Sequence, residues 1–165
     1  MVAQGSNKGE KVELQTTHGT IVVQLYKDMP ITTGNFEKLV REGFYDGILF
    51  HRVDEGFVIQ GGDPLSKDPS KKNLWGTGGS DSIKDEFNDA SNVRGTISMA
   101  NAGPNTGSSQ FFINLADNIF LDGRHPVFGE VIEGMDVVDA ISKVSVDSRD
   151  RPVEDVKIIS AKIVG

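Results

Sequence analysis

Arg52, Gln60 and Phe112 are the residues whose types and spacing first point to chemistry. Each falls in a short run, at 50–53, 57–60 and 110–114, with the period of two that a half-buried strand requires. Alternation sets Arg52 opposite His51 and Val53, and Val58 with Gln60 opposite Phe57 and Ile59. It also sets Gln110, Phe112 and Asn114 opposite Phe111 and Ile113. If Phe111 and Ile113 face the core, Phe112 is an aromatic pointing outward beside an amide, and several strands can bring Arg, Gln and apolar groups to one outer surface. An apolar patch with a few convergent polar groups is what a ligand site needs. Taken singly, Arg52 fits a surface ion pair and Phe112 a core position better than a site.

Other chemistries have less behind them. Ser108 or Ser109 with His125 and Asp122 is the one conceivable nucleophilic triad, and no Gly-x-Ser-x-Gly elbow accompanies it. His18, His51 and His125 are far apart in a chain without cysteine, a weak basis for a metal site. Gly76-Thr77-Gly78-Gly79 lacks the Lys-Ser/Thr of a phosphate loop and reads as a mobile loop, with Trp75 packed within it. His51 reads as a hydrogen-bonded interior histidine and His18 as an exposed turn residue.

The positioning elements are short. Val12 and Leu14, then Ile21, Val23 and Leu25, alternate around a His18-Gly19 turn and predict a hairpin. Pro30 suits a first helical turn, Phe36, Leu39 and Val40 form an i, i+3, i+4 stripe, and Gly43 stops the helix. Further strands are expected at 96–100 and 127–132, and a second helix around Met135, Val138 and Ile141. The last strand, 156–164, changes phase between Ile158 and Ile159, the mark of a bulge. A long loop spans about 63–92. Many short strands with two helices predict an antiparallel barrel or sandwich with helices over its openings.

Composition narrows the function classes. The 165 residues carry 17 Lys or Arg against 24 Asp or Glu, a net charge of −7, which argues against general affinity for nucleic acid or anionic membranes. The absence of cysteine excludes a disulfide scaffold, a thiolate metal site and a cysteine nucleophile. No apolar run approaches the roughly 20 residues that span a bilayer. Residues 1–10 have no hydrophobic core, and read as a flexible polar leader without a signal peptide ahead of one domain at 11–165. No export signal and no cysteine fit a cytoplasmic protein. Nine Phe supply core material, and 19 Gly imply many tight turns.

Phe50-His51-Arg52, Gly56-Phe57 and Gln60-Gly61-Gly62-Asp63 are followed by Ser98-Met99-Ala100-Asn101-Ala102-Gly103-Pro104-Asn105-Thr106 and Ser109-Gln110-Phe111-Phe112-Ile113. With Leu121-Asp122-Gly123-Arg124-His125 and Val127-Phe128-Gly129, this series closely resembles the cyclophilins, in the right order from about Lys11 to Val164. The resemblance implies a mainly β fold: a closed eight-stranded antiparallel barrel capped by two α-helices. It also implies peptidyl-prolyl cis-trans isomerase activity during protein folding, without cofactor or metal. Its partners would be proline-containing unfolded or flexible polypeptides, bound by a monomer.

By the same resemblance Arg52 is the catalytic donor. Phe57, Val58, Phe112, Leu121 and His125 line a proline pocket, Gln60 orients Arg52 and contacts the substrate carbonyl, and the Asn101 backbone holds the peptide. Ala100 and Gln110 lie beside it, and Ala102 and Thr106 match a shallower neighbouring pocket. Two departures stand out. Val58 replaces a common Met, shortening one wall, and Phe120 replaces the Trp of many eukaryotic members, losing an indole N–H and predicting weaker cyclosporin binding. Phe120 and the long loop fit a bacterial or archaeal origin at least as well as a eukaryotic one. Two other functions compete with the isomerase: a proline-binding module without turnover, against which Arg52 and Gln60 weigh, and the distant hydrolase.

Overall fold

β1 (Lys8–Thr16) and β2 (Gly19–Tyr26) form the hairpin that alternation predicts, with Leu14 paired to Ile21 and Val12 to Val23, all four fully buried. The two-residue turn is Thr17-His18 and not His18-Gly19. Gly19, at φ 131°, opens β2 opposite Thr16 in a conformation that only glycine adopts readily. The structure, a computed structural model, describes residues 7–165. Most of the expected leader therefore lies outside the described residues. Its last part, from Lys8, is already strand, because β2 is long enough for Tyr26 to pair with Lys8.

α1 (Pro30–Arg41) starts on its proline and ends before Gly43, which takes φ 72°. Its stripe buries Phe36, Leu39 and Val40. The Phe36 ring meets Tyr45, Phe111 and Phe128 at centroid distances of 5.1, 5.6 and 5.2 Å. Aromatic contacts at such separations add about 0.5–1.5 kcal/mol per pair to the area they bury, so Phe36 strengthens the hold that the buried stripe gives α1 on the core. α2 (Met135–Ser142) buries Val138 and Ile141.

The remaining strands are β3 (Arg52–Asp54), β4 (Val58–Gly61), β5 (Thr96–Met99), β6 (Phe111–Asn114), β7 (Val127–Glu133) and β8 (Ile158–Val164). They form one antiparallel sheet in the order β3-β4-β6-β5-β7-β2-β1-β8. The closed barrel is corrected here to a strongly curled sheet. Edge strands β3 and β8 are not paired with each other; the ends are joined by a Leu49–Lys157 bridge and by bonds from Phe50 N to Val156 O (2.9 Å) and Ile158 N to Ile48 O (2.8 Å). β3, at three residues, is too short to build a full seam.

The bulge in β8 is present. Gln15 pairs with Ser160 and Thr16 with Ile158, so Ile159 is the extra residue and turns outward while Ile158 is buried. Two short 3₁₀ turns, Pro64–Lys67 and Pro69–Leu74, interrupt the long loop, capped by the Asp63 and Asp68 side chains. Within the described residues no helix is long and apolar enough to cross a membrane.

Candidate active site

Strand register builds the site. Arg52 pairs with Gln60 across β3 and β4, Gln60 with Phe112 across β4 and β6, and Phe112 with Ser98 across β6 and β5. Directly paired residues project from the same face. Arg52, Gln60 and Phe112 thus form a row on one side of the sheet, while Val53, Ile59, Phe111 and Ile113 fill the core on the other. Phe112 is nonetheless covered, at 3% exposure. Its outer face is walled by His125, whose ring meets it edge-on at 5.4 Å.

Around this row lies a cavity of about 210 Å³, lined by Arg52, Phe57, Val58, Gln60, Ala100, Asn101, Phe112, Leu121 and His125. Phe57 faces the cavity although alternation sets it opposite Val58. β4 begins only at Val58, and Phe57 belongs to the preceding turn, its N–H bonded to Asp54 O. The period of two therefore does not reach it. Phe120 is not among the residues that line this cavity. It stacks on Phe57 at 5.9 Å and is 67% exposed, forming an outer apolar lip.

Arg52 reaches the cavity with its side chain 40% exposed. Its guanidinium carbon is 5.7 Å from the Phe57 ring centroid, and Nη2 is 3.7 Å from Asp54 Oδ2. Gln60 donates through Nε2 to Gln110 Oε1 at 3.0 Å, and among the described residues no side-chain hydrogen bond joins it to Arg52. His125 Nδ1 lies 3.1 Å from Met99 O; a carbonyl only accepts, so Nδ1 carries the proton when the ring is neutral. Among the described residues no internal hydrogen bond uses the main-chain N–H or C=O of Asn101. Its side chain instead donates to Arg124 O at 2.7 Å, joining two loops that border the cavity.

A second cavity, about 250 Å³, shares Gln60, Ala100 and Asn101 with the first and adds Ala102, Thr106, Ser108, Gln110 and the 76–80 segment. Ala102 N donates to Thr106 Oγ1 at 2.7 Å, which shapes its rim. The segment read as a mobile loop is tethered. Fully buried Asp63 accepts from Leu65 N, Gly76 N and Gly78 N at 2.8, 2.6 and 3.1 Å, and Gln110 Nε2 donates to Gly76 O and Gly78 O at 2.9 and 2.8 Å. A side chain at Gly78 would collide with Asp63 and Leu65. Periodicity does not mark Asp63 as a positioning residue; its sequence signal is a carboxylate directly after Gly61-Gly62, ahead of the glycine-rich 76–79 stretch.

His51 is interior but its Nδ1 is buried without a partner, so the expected hydrogen bond is absent there. Burial pushes its pKa down to about 4, partly opposed by the Asp63 carboxylate and aided by the Arg52 cation. Trp75 packs in its loop, donating from Nε1 to Asp68 O at 3.2 Å.

The conceivable triad is not assembled. His125 Nδ1 serves Met99 O, Ser109 Oγ is buried on Gly62 O at 2.7 Å, and Asp122 binds Ser91 and Asn92. Burial alone would raise the Asp122 pKa, but those hydrogen bonds outweigh it and hold the carboxyl below its ordinary range. Among the described residues no cluster of three or more His, Asp or Glu could hold a metal ion.

The chain matches the family model for the cyclophilin-type peptidyl-prolyl cis-trans isomerases over residues 11–163. It is 47% identical over 151 residues to peptidyl-prolyl cis-trans isomerase ppi1 of Schizosaccharomyces pombe, covering 91% of this chain and 96% of that protein. Peptidyl-prolyl cis-trans isomerase CYP18-2 of Arabidopsis thaliana is 41% identical over 165 residues, covering 99% of each chain. Among solved structures, a Cryptosporidium parvum cyclophilin-type peptidyl-prolyl cis-trans isomerase superposes with a TM-score of 0.87 at 30% identity, over 94% of this chain and 98% of that one. A second structure of that protein, obtained in the presence of the dipeptide Ala-Pro, gives 0.86 at 30% identity, over 94% and 99%. By sequence along nearly its whole length and by fold, this chain belongs to the cyclophilin-type peptidyl-prolyl cis-trans isomerase family.

Proposed function

We propose that this isomerase acts with Arg52 as donor to the prolyl nitrogen and the 210 Å³ cavity as the seat of the proline ring. The observation that carries the reading is the row Arg52, Gln60, Phe112, which sets a permanent cation beside an apolar pocket. Rotating an X-Pro bond removes amide conjugation against a barrier of about 18–20 kcal/mol. No bond between heavy atoms is made or broken, so neither nucleophile nor cofactor is needed. Uncatalysed exchange takes tens to hundreds of seconds, so a turnover near 10³ s⁻¹ requires roughly 10⁵-fold acceleration, or about 7 kcal/mol. A guanidinium N–H directed at the prolyl nitrogen favours its pyramidal, deconjugated form, and does so only while the bond rotates.

Phe57, Val58, Phe112, Leu121 and His125 would hold the ring. One Gln60 amide hydrogen is occupied by Gln110, leaving the second to donate to the substrate carbonyl. The unengaged main-chain groups of Asn101 suit an extended peptide, and the cavity at Ala102 and Thr106 suits a neighbouring side chain. The same reading gives a monomer acting on flexible proline-containing polypeptides, with cyclosporin binding weaker than in Trp-containing members because Phe120 offers no donor. Its cysteine-free sequence fits work in the cytosol. The test is exchange NMR on an Ala-Pro peptide beside an ester-hydrolysis assay. Accelerated exchange without hydrolysis is expected. A folded chain that binds the peptide without speeding exchange would make it a proline-binding module.

A further inference from the structure

A third cavity, about 250 Å³, adjoins the proline pocket through the shared side chains of Arg52 and Gln60. Its charged lining is wholly cationic: Arg52 from β3, Lys72 from the second 3₁₀ turn, and Arg149 and Arg151 from the segment between α2 and β8. The arrangement is built. Arg151 donates from Nη1 to Lys72 O at 3.0 Å, locking the two distant loops together. Lys72 Nζ lies 5.6 Å from the Trp75 ring centroid, which fixes its direction.

The charge is only partly answered. Arg52 has Asp54 at 3.7 Å and Arg151 has Asp147 at 2.8 Å, whereas Lys72 and Arg149 make no ion pair among the described residues. Two unanswered cations in one concavity of a chain with net charge −7 form a local field that concentrates anions. Guanidinium forks match the planar oxygens of carboxylate and phosphate groups.

Arg52 stands on β3 and Ala100–Asn101 follow β5, with β4 and β6 between them. At strand spacings of about 4.8 Å the two ends of the proline pocket are roughly 14 Å apart. In the proposed seating, a peptide held at Asn101 on one side of its proline would leave past Arg52 on the other. An extended chain advances about 3.3 Å per residue, so a side chain one or two positions from the proline reaches the cationic cavity. We propose that this cavity is a subsite for an anionic side chain, carboxylate or phosphate, carried by the substrate on the flank of the proline away from Asn101. The assignment rests on the proline seat described above and adds a charge preference to it.

The test uses the full chain and proline peptides carrying Glu, Gln, Ser or phosphoserine two residues before or two residues after the proline. Exchange NMR reads kcat/KM and chemical-shift titration reads Kd, each at low and high salt. On one flank only, the Glu peptide should exceed its Gln counterpart by about 5-fold at low salt, and phosphoserine should exceed Ser by more if the site favours phosphate over carboxylate. The Lys72→Ala/Arg149→Ala variant should lose these preferences and keep its rate on Gln and Ser peptides. Equal binding of Glu and Gln peptides on both flanks would overturn the subsite, as would a preference that survives in the variant or in high salt. The uncharged peptides test the isomerase mechanism separately. If they bind without turnover, the Kd comparison still decides the subsite.

Discussion

Gln60 and Gln110, fifty residues apart, are joined side chain to side chain at 3.0 Å. Gln110 Nε2 serves two carbonyls, Gly76 O and Gly78 O, so its Oε1 is the atom left to accept from Gln60. The amide beside Arg52 is thereby coupled to the segment that walls the second cavity.

Gln110→Ala should remove this coupling. Two loop carbonyls and one Gln60 hydrogen lose their partner next to solvent, for a stability loss of about 1–2 kcal/mol. Hydrogen exchange at residues 76–80 should speed up, and kcat/KM on a peptide with a bulky residue before the proline should fall more than on one with Gly there. Unchanged exchange in that segment would show that the loop holds itself.

Asp63→Ala should do greater damage. The buried carboxylate accepts three main-chain N–H groups, and its removal leaves those donors unpaired in a site that Leu65 and Gly78 already fill. A loss of about 3 kcal/mol or more is expected, measured by urea denaturation. A loss under about 1 kcal/mol would mean that water replaces the carboxylate without penalty.

His51 should make the fold acid-sensitive. Its pKa is about 4 in the folded chain against 6.5 when free. Above pH 6.5 both states are neutral and the residue contributes no pH dependence. As the pH falls from 6.5 to 4 the unfolded chain takes the proton first, and folding stability drops by up to about 3 kcal/mol. Denaturation at pH 7, 5.5 and 4 should show this decline, and His51→Gln should flatten it over that interval. Parallel curves for the two proteins would place the acid sensitivity elsewhere.

Phe120→Trp should tighten cyclosporin inhibition. Phe120 is an exposed lip stacked on Phe57, outside the cavity proposed to seat the proline. An added indole N–H that pairs an acceptor of the drug is worth about 1–3 kcal/mol, or roughly 5- to 150-fold in affinity. Peptide kcat/KM should change far less. Equal inhibition constants, measured side by side, would remove this position from drug recognition.

What the sequence made legible followed local periodicity. Alternation put Arg52, Gln60 and Phe112 on one face, the stripe through Phe36 gave α1, and the phase change at Ile159 marked the bulge. Resemblance then grouped residues that periodicity could not bring together, such as Asn101 with Leu121. Features made by distant loops stayed hidden. Lys72 and Arg151 meet through one side chain to backbone bond across 79 positions, and neither loop carries a repeating pattern. Phe57 lies just before β4, outside the reach of its period of two. The seam at Leu49 and Lys157 is a single bridge, too short to leave an alternation signal. The partnerless Nδ1 of His51 depends on what three-dimensional packing leaves around it, which residue type alone does not disclose.

The measurement closest to the central claim is kcat/KM for Arg52→Ala on an Ala-Pro peptide, with folding checked on the same sample. The Arg52 side chain is 40% exposed and outside the core, so the fold should persist. If its guanidinium stabilises the deconjugated prolyl nitrogen only during rotation, kcat/KM should fall by about 10² to 10³, equivalent to roughly 3–4 kcal/mol, with little change in peptide Kd. Near-normal isomerisation by a folded Arg52→Ala chain would contradict the account.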